Sequence, residues 1–408
     1  MQTLSLRATS IISKDKSLDE DNIFETGIDD TKLLKSLIIY GANGSGKSNL
    51  IHGFFTMLYF IEDSFRDENA AKEILNPFVL DRYSKNKPTF YQIVFILNKQ
   101  ILRYGFELKK GKVVSEWLFG PASKNEVYYF TRELSEIKVN KNSFPEGIGL
   151  EKDKTKETTL FLNVLDAFNT PVSKEIKKFF RTRIGISSGM NDLGLRRVSL
   201  QMLDEPNQKK VLIKFLSMAD FGINNLENVF LEEDGILEEK FDEAKGSPVK
   251  NKKVQILLSE RKVIDAKGQT IDSIKESFDI FESEGTKKYF NYAGAILNSI
   301  TKGMTLIIDE FDSRLHPLLT KKIVQLFNSK VNKNKAQLII VTHDTNLLDS
   351  ALFRRDQIYF VEKKKSGESQ YYSLVNIRGI RNDATYQKDY IKGKYGAIPF
   401  VGQYKFDK

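Results

Sequence analysis

The sequence predicts an α/β fold in which a mixed sheet with flanking helices is interrupted by a mostly helical insertion. Three observations lead to this fold class. An apolar run at residues 37–40 enters a glycine-rich turn, and apolar residues at helical spacing follow it. Apolar runs typical of buried parallel strands return at residues 305–308 and 337–341. Between these two parts, residues 136–250 are dominated by helical patterns.

The chain divides into three segments. Residues 1–135 hold an edge strand, the glycine-rich turn with its helix, an acidic irregular stretch, and three or four alternating strands, "PTFYQIVFIL", "ILRYGFELKK", "KVVSEWLFG" and "EVYYFTREL". Residues 136–250 contain the helical stretches "TTLFLNVLDAF", "PVSKEIKKFFRTRI" and "KKVLIKFLSMADFGI", without long heptad runs or internal repeats. In residues 251–408 strands and helices alternate. We therefore expect a core split by an insertion.

The composition excludes several classes of protein. The chain has 408 residues, of which 40% are hydrophobic, and it has no cysteine, so disulfides and thiolate metal sites are excluded. No run of 18 apolar residues occurs, and "MQTLSLRATS" carries no apolar signal region, so we expect a cytoplasmic protein without a membrane partner. The net charge of +9 suits a polyanionic partner such as nucleic acid. The lysines are spread along the chain, however, and a solvated basic surface explains the charge equally well.

The turn "GANGSGKS", residues 41–48, fits the pattern G-x-x-x-x-G-K-[ST] of a phosphate-binding loop. Glycines let backbone N–H groups close around phosphate oxygens, and the N-terminus of the following helix favours anions. The lysine reaches the β- and γ-phosphates, and the serine hydroxyl binds Mg²⁺. The sequence therefore predicts ATP and Mg²⁺ as ligands, with Ser48 as a metal ligand. The residues predicted to bind ATP in this loop are Gly41, Asn43, Gly44, Ser45, Gly46, Lys47, Ser48 and Asn49.

Two downstream strands end in residues suited to the same chemistry. The apolar strand in "TLIIDEFDS", residues 305–313, is followed by Asp309 and Glu310. An acid at the carboxyl end of a core strand can hold Mg²⁺, so Asp309 is the second predicted metal ligand. Glu310 is predicted to polarise the attacking water as a general base. The strand in "QLIIVTHD", residues 337–344, ends at His343, which we expect beside the γ-phosphate.

A helix start at Ser283 lies 26 residues before Asp309, the first acid of the Asp-Glu strand. The segment "FESEGTKKYF" places Ser283, Gly285 and Thr286 where a helix with apolar spacing begins. An ordinary N-cap explains Ser283, and Glu284 is favoured by the helix dipole, but neither explains the position relative to the acidic strand. The order of the motifs is therefore informative: phosphate loop, insertion, Ser-x-Gly helix start, Asp-Glu strand, "FDS", and a strand ending in histidine.

This order resembles the ATPase head of ABC-type P-loop proteins and is unlike that of kinases, GTPases or hexameric AAA motors. The resemblance implies that two protomers enclose two ATP molecules, each phosphate loop facing the signature helix of the other protomer. Ser283 and Gly285 would then contact the γ-phosphate of the partner's ATP. Glu310 would be the catalytic base and His343 the catalytic switch residue. Asp312 would begin the D-loop, which reaches across the dimer interface, and contribute to the same nucleotide site.

Two positions match this pattern less well. The signature departs from LSGGQ in having Glu284 at the second small position, as soluble SMC-like relatives also vary. By analogy with the Q-loop, Gln92 is a candidate contact to Mg²⁺. Since Gln92 follows an aromatic residue within a predicted strand, a solvated strand position is the competing interpretation.

A more specific resemblance spans nearly the whole chain. The segments "NPFVLDRY", "FLSMADFGI", "ESEGT", "IIDEFDSRLHPLL" and "RNDATYQKDYIKGKYGAIP" are similar to bacterial ATPases of the RloA/AbiLi type, with the AriA protein of the PARIS system as a relative. Members of that group serve phage defence by abortive infection beside a separately encoded nuclease or toxin, often of the TOPRIM type. The resemblance therefore implies an ATP-driven sensor or regulator, at least dimeric, whose partner is such an effector.

Other functions fit the sequence to different degrees. A DNA-repair or chromosome-organising ATPase of the RecF/SMC kind stays open, although SMC arms would need hundreds of residues of heptads that the insertion lacks. An intrinsic nuclease lacks support because no TOPRIM-like acidic cluster follows the ATPase core. A transporter component would need a membrane partner and an LSGGQ helix, and the insertion fits it poorly.

Overall fold

The structure is a computed structural model, and it describes residues 2–64, 78, 80–81, 83–121, 126–151, 154–187, 192–232, 253–380 and 384–399. Its contacts divide the chain into two compact units. Unit 1 comprises residues 1–188, 299–311 and 321–408. Unit 2 comprises residues 189–298 and 312–320.

The helices, numbered along the chain, are α1 (Lys16–Asp21), α2 (Lys47–Asp63), α3 (Phe161–Ala167), α4 (Pro171–Arg183), α5 (Leu193–Leu203), α6 (Pro206–Ser217), α7 (Phe278–Phe281), α8 (Glu284–Lys302), α9 (Pro317–Phe327) and α10 (Tyr386–Ile391). The strands are β1 (Ile23–Glu25), β2 (Lys32–Leu34), β3 (Ser36–Gly41), β4 (Thr89–Leu97), β5 (Gln100–Lys109), β6 (Lys112–Phe119), β7 (Tyr128–Glu133), β8 (Glu136–Val139), β9 (Ile184–Ser187), β10 (Asn225–Glu232), β11 (Lys253–Ile264), β12 (Thr270–Ser277), β13 (Thr305–Ile308), β14 (Gln337–Val341), β15 (Ile358–Lys363) and β16 (Ser369–Ser373).

Unit 1 contains a six-stranded mixed sheet with the strand order β16-β15-β3-β14-β13-β9. Five of these strands run parallel, and β16 pairs antiparallel with β15 at one edge. β3 is buried along its whole length, and β13 and β14 are buried after their first residue. Continuous burial explains why these strands read in the sequence as unbroken apolar runs rather than as alternating patterns.

Helices cover both faces of this sheet at β3. Leu37 and Ile39 form a buried cluster with Ile51 of α2 on one face. On the other face the ring centroid of Tyr40 lies 5.7 Å from that of Tyr390 in α10. Because neighbouring residues of a strand point to opposite faces, these contacts hold β3 from both sides and fix the start of the loop that follows it.

The second large sheet of unit 1 is an antiparallel meander with the order β4-β5-β6-β7-β8, which buries an aromatic cluster with α2, α3 and α4. Within it, the fully buried Glu116 accepts hydrogen bonds from the N–H groups of Phe161 (2.6 Å) and Leu162 (3.0 Å) and from the Tyr104 hydroxyl (2.9 Å). Arg132 lies 3.8 Å from the same carboxylate. Glu116 therefore ties β6 to the N-terminus of α3, where backbone N–H groups need acceptors.

Unit 2 combines the antiparallel sheet β10-β11-β12 with α5, α6, α7 and most of α8. Ser199 of α5 lies directly against Gly294 of α8, since a Cβ at Gly294 would be 2.5 Å from the Ser199 backbone nitrogen. The Ser199 hydroxyl donates to the carbonyl of Phe290 (2.6 Å) and accepts from the N–H of Gly294 (2.9 Å). A glycine is required here because the two helix backbones approach too closely for a side chain.

The predicted fold class, an α/β head with a mixed sheet and flanking helices, is confirmed. Residues 136–250 contain α3, α4 and α6, which lie in the three predicted helical stretches. The described part of this segment also contains α5 and the strands β8, β9 and β10, which the helical patterns did not predict. The division of the chain into segments 1–135, 136–250 and 251–408 stays a prediction. Most of the acidic stretch after α2 and the end of the insertion lie outside the described residues. Among the described residues, no helix is long and apolar enough to cross a membrane.

Candidate functional site

The carboxyl ends of three neighbouring parallel strands bring predicted site residues to one edge of the six-stranded sheet. β14 lies between β3 and β13, with Ile340 paired to Ile38 on one side and to Ile308 on the other. The phosphate loop follows β3, the Asp-Glu pair follows β13, and the segment with the predicted switch histidine follows β14. At a strand spacing of about 4.8 Å, the ends of β3 and β13 are about 10 Å apart, which is within the span of a bound triphosphate and metal ion.

The tip of the phosphate loop is exposed. Asn43 and Gly44 are exposed, Gly44 has a φ of 73°, and a Cβ added there would meet nothing within 4 Å. Ser48 and Asn49 are exposed in the first turn of α2. Ser45 is buried, and among the described residues its hydroxyl has no hydrogen-bond partner. An open backbone surface at a helix N-terminus fits an anionic ligand.

The base of the loop is closely packed. A Cβ at Gly41 would lie 2.5 Å from the carbonyl oxygen of Val361 in β15, which is the residue paired with Gly41 across the sheet. The buried Lys47 donates from its Nζ to the carbonyls of Gly41 (2.8 Å) and Ala42 (3.0 Å). The Lys47 ammonium therefore lies inside the loop, next to the surface where phosphate oxygens would bind.

Two residues of the loop region were missed by the sequence analysis. The Ser369 hydroxyl donates to the carbonyl of Ser45 (2.6 Å), and the Tyr371 hydroxyl donates to the carbonyl of Gly46 (2.6 Å). Gly46 has a φ of 105°, and a Cβ there would overlap the Ser369 hydroxyl. No local sequence signal could have found these contacts, because β16 is more than 300 residues away from the loop.

The Asp-Glu pair lies at the carboxyl end of β13. Asp309 is buried; its N–H donates to the carbonyl of Ser187 (3.0 Å), and its Oδ1 accepts from the N–H of Glu310 (2.9 Å). Glu310 is half-buried and has a φ of 47°, a left-handed conformation that is uncommon for a non-glycine residue. The buried Phe311 fixes the next residue through its N–H bond to the carbonyl of Val341 (3.0 Å). These contacts fix the backbone of the turn that carries Glu310.

The segment after β14 carries an exposed histidine. Thr342 is buried and His343 is exposed. The Thr342 hydroxyl accepts from the N–H of Asp344 (3.0 Å), and the Tyr40 hydroxyl donates to the Asp344 carbonyl (2.9 Å). These bonds of Thr342 and Asp344, the residues on either side of His343, thus hold its backbone at the sheet edge.

Gln92 lies on β4 of the five-stranded sheet and not on the six-stranded sheet that carries these three strand ends. Its side-chain oxygen accepts from Arg103 Nη1 (3.1 Å) and from the indole N–H of Trp117 (3.2 Å). These contacts favour the strand position over a Q-loop contact.

The signature residues lie in unit 2. Ser283 is exposed and caps α8, because its hydroxyl accepts from the N–H of Thr286 (3.1 Å). At Gly285 a Cβ would lie 2.9 Å from the carbonyl oxygen of Arg314. Asp312 is half-buried, and its carbonyl accepts from the N–H of Leu315 (3.1 Å). A residue without a side chain is therefore required at Gly285, because the backbone of Arg314 passes close to the start of α8.

Glu284, the departure from the signature pattern, is exposed and paired with two cations. Its carboxylate lies 3.0 Å from Lys287 Nζ and 2.5 Å from Arg314 Nη1. The hydrogen bond from Lys287, followed by the charges of Lys287 and Arg314, lowers the pKa of Glu284. The acid therefore stays ionised and is neutralised locally.

The described residues contain no group of three or more His, Asp or Glu side chains arranged to hold a metal ion. A Mg²⁺ ion bound with a nucleotide does not need such a group, because phosphates and water supply most of its ligands. Ser48, exposed in the first turn of α2, and Asp309, at the end of β13, suit that ligand set.

This loop, the acid-bearing strand and the mixed sheet define the chain as a P-loop NTPase head. The family described as "AAA domain, putative AbiEii toxin, Type IV TA system" matches residues 36–349, which is more than half of the chain. The chain belongs to this family.

Other comparisons add structural likenesses. No curated protein matches the chain. Solved structures that resemble it include the SmcHead bound to the C-winged helix domain of ScpA, with 14% identity over 84% of this chain and 92% of that chain and a TM-score of 0.41. The SMC head domain from Thermotoga maritima has 13% identity over 86% and 97%, with a TM-score of 0.39. The Smc head with an extended coiled coil derived from Pyrococcus furiosus, bound to the C-terminal domain of ScpA, has 12% identity over 84% and 91%, with a TM-score of 0.38.

Proposed function

We propose that the chain is an ATP-binding and ATP-hydrolysing regulatory component of a phage-defence system that acts by abortive infection. The observation that carries the ATPase part is the phosphate loop after β3, with Asp309 and Glu310 after β13 at the same sheet edge. The family description names a toxin of a type IV toxin–antitoxin system, which supports a role in controlling toxicity.

In this proposal the loop holds the triphosphate mainly through its backbone. The exposed backbone of Asn43 and Gly44 faces the phosphates, and the other loop residues complete the cradle. The Lys47 ammonium, now bonded to two carbonyls of its own loop, exchanges them for β- and γ-phosphate oxygens. A desolvated ammonium close to the ligand needs only a short side-chain movement for this exchange.

Hydrolysis then depends on residues at the neighbouring strand ends. Ser48 and Asp309 would hold Mg²⁺, which neutralises charge on the β- and γ-phosphates when it is bound. Glu310 takes the proton of the water that attacks the γ-phosphate, so that ADP and inorganic phosphate are released. His343, exposed after β14, contacts the γ-phosphate and senses its presence.

The proposal requires at least a homodimer. Ser283, Gly285 and Asp312 would serve the ATP bound to the other protomer, as in the ABC-type heads that the motif order resembles. The exposure of Ser283 at the start of α8 suits such a contact. In a two-fold dimer each surface serves its partner, so both sites are completed together.

ATP state can control an effector only if the effector's affinity differs between two states of the ATPase. We expect this effector to be a separately encoded nuclease or toxin, such as a TOPRIM-type nuclease. Within the insertion, α6 exposes Lys210 and Lys214, which lie outside the predicted ATP chemistry and provide a charged contact surface. A second candidate, a RecF/SMC-like DNA-repair ATPase, is favoured by the net charge of +9.

A phage-plating assay tests the biological role. The intact operon should protect cells, whereas operons carrying Glu310→Gln or the pair Lys210→Glu and Lys214→Glu should not. The lysine variant should keep ATP turnover within about twofold, because surface changes rarely disturb a core. Full protection by the Glu310→Gln operon would show that hydrolysis is dispensable. No protection by the intact operon, together with DNA-damage sensitivity of a deletion strain, would favour the repair function.

A further inference from the structure

The hairpin formed by β15 and β16 contacts the phosphate loop at both ends of the loop. Val361 of β15 packs directly against Gly41, since a Cβ added at Gly41 would be 2.5 Å from the Val361 carbonyl oxygen. At the other end, Ser369 and Tyr371 of β16 donate hydrogen bonds of 2.6 Å to two successive carbonyls of the loop, those of Ser45 and Gly46. All of these residues belong to unit 1.

These two hydrogen bonds orient N–H groups as well as carbonyls. In a planar trans peptide the C=O and the N–H of the same peptide unit point in opposite directions. A bond that holds the Ser45 carbonyl toward β16 therefore turns the N–H of Gly46 away from β16. The bond to the Gly46 carbonyl does the same for the N–H of Lys47. Both N–H groups lie where the phosphate loop passes into α2, the place where such loops bind phosphate oxygens.

The hydroxyls of Ser369 and Tyr371 are suited to act as donors to these peptide carbonyls. Burial raises the pKa of Tyr371 to about 12, so its hydroxyl keeps its proton and remains a donor at physiological pH. A hydroxyl that donates to a carbonyl also polarises that peptide group, which strengthens the N–H as a donor on its opposite side. Gly46 permits the arrangement because any side chain there would overlap Ser369.

We propose that Ser369 and Tyr371 are positioning residues of the nucleotide site, which fix the N–H groups of Gly46 and Lys47 toward the phosphates before ATP binds. This inference rests on the proposed ATPase function and deepens it. Preorganised donors add affinity because the loop loses less conformational freedom when the ligand binds. The site is therefore completed by a strand near the other end of the chain.

The test compares Tyr371→Phe and Ser369→Ala with Tyr372→Phe as a matched control. Tyr372 is the next residue on β16, and its hydroxyl also donates a 2.6 Å hydrogen bond to a backbone carbonyl, but that carbonyl belongs to Tyr395 in the tail. Each substitution removes one hydroxyl and leaves the aromatic or aliphatic remainder in place. Affinity is measured by equilibrium dialysis with radiolabelled ATP and Mg²⁺, and KM and kcat by phosphate release.

We expect Tyr371→Phe and Ser369→Ala each to raise Kd and KM for ATP about fivefold, the usual value of one hydrogen bond. The change in kcat should stay within about twofold, because binding in the ground state and in the transition state is weakened equally. Tyr372→Phe should leave Kd unchanged. The rise in melting temperature caused by ATP should shrink in the first two variants and not in the control.

Several results would overturn the inference. If wild-type protein binds ATP and Tyr371→Phe and Ser369→Ala bind it within twofold of wild type, the hydroxyls do not position the loop. A lowered melting temperature without a change in Kd would mean that they only stabilise the fold. An equal rise in Kd in Tyr372→Phe would show a general effect of the hairpin. Failure of the wild-type protein to bind ATP would instead refute the proposed function, and this inference with it.

Discussion

Glu310→Gln is the substitution that most directly tests the proposed chemistry. We expect it to slow ATP turnover about 10²–10⁴-fold, which is the usual contribution of a positioned general base. At 1.36 kcal/mol for each factor of ten, this corresponds to about 3–5 kcal/mol in the activation free energy. ATP affinity should stay within about twofold, because the phosphate loop lies after a different strand. The variant should therefore accumulate as an ATP-bound dimer.

The structure indicates why this substitution is selective. Glutamine has the length and shape of glutamate, and within the described part of the chain the Glu310 carboxylate has no hydrogen-bond partner to lose. The strained φ of 47° is imposed by backbone contacts, which glutamine keeps: the N–H bond to Asp309 and the N–H bond of Phe311 to Val341. We therefore expect the free energy of unfolding to change by less than about 0.5 kcal/mol, as for most substitutions outside a core.

The assay measures phosphate release and ATP binding on the same purified preparations. Glu133→Gln, at an exposed position on β7 of the five-stranded sheet, is the matched control and should have wild-type turnover. Near-normal turnover of Glu310→Gln would remove Glu310 from the role of base. An equal loss of turnover in Glu133→Gln would show that the defect is not specific to Glu310. It would refute the assignment of the base to the end of β13.

Lys47→Ala should abolish ATP binding in equilibrium dialysis, because the loop loses the charge that faces the phosphates. Lys47→Ala and Ser283→Ala, each inactive alone, should recover up to about one working site in two when they are mixed; no recovery between exchanging dimers would place the whole site in one chain. Glu116 should make stability depend on pH, because burial raises its pKa above the ordinary value of 4.5. As pH rises above 4.5, the unfolded chain loses this proton first, so wild-type stability falls more steeply than that of Glu116→Gln in urea unfolding; parallel curves would contradict this.

The parts of the site that the sequence reveals are those whose determinants are contiguous. β3 and the loop after it form one run of buried apolar residues, glycines and a helix start, so their pattern is complete within 15 residues. β13 and β14 can also be recognised in the sequence, because both faces of each strand are buried and each strand is therefore an apolar run. Their order in the sheet brings the acids and the histidine to the loop's edge, and general rules for parallel sheets predict that meeting.

Other features depend on distant or very local geometry and could not be read from the sequence. Ser369 and Tyr371 contact the loop across more than 300 residues, and "SQYYS" resembles any short amphipathic strand. β9 has four residues directly after α4, too few for a strand pattern to be distinguished from the helix before it. The positive φ of Glu310 follows from the hydrogen bonds around it and not from its residue type.

The acid in the signature helix bears on the proposed dimer. If α8 faces the triphosphate of a partner, an isolated carboxylate at Glu284 would repel it. Instead Lys287 and Arg314 both pair with Glu284, so the three side chains together carry a net charge of +1 at neutral pH. Exposed ion pairs of this kind contribute little to stability, so their effect lies in the local potential. The N-terminus of α8 thus remains attractive to phosphate despite Glu284. Because Arg314 lies two residues after Asp312, part of the compensating positive charge comes from the segment predicted to reach across the dimer.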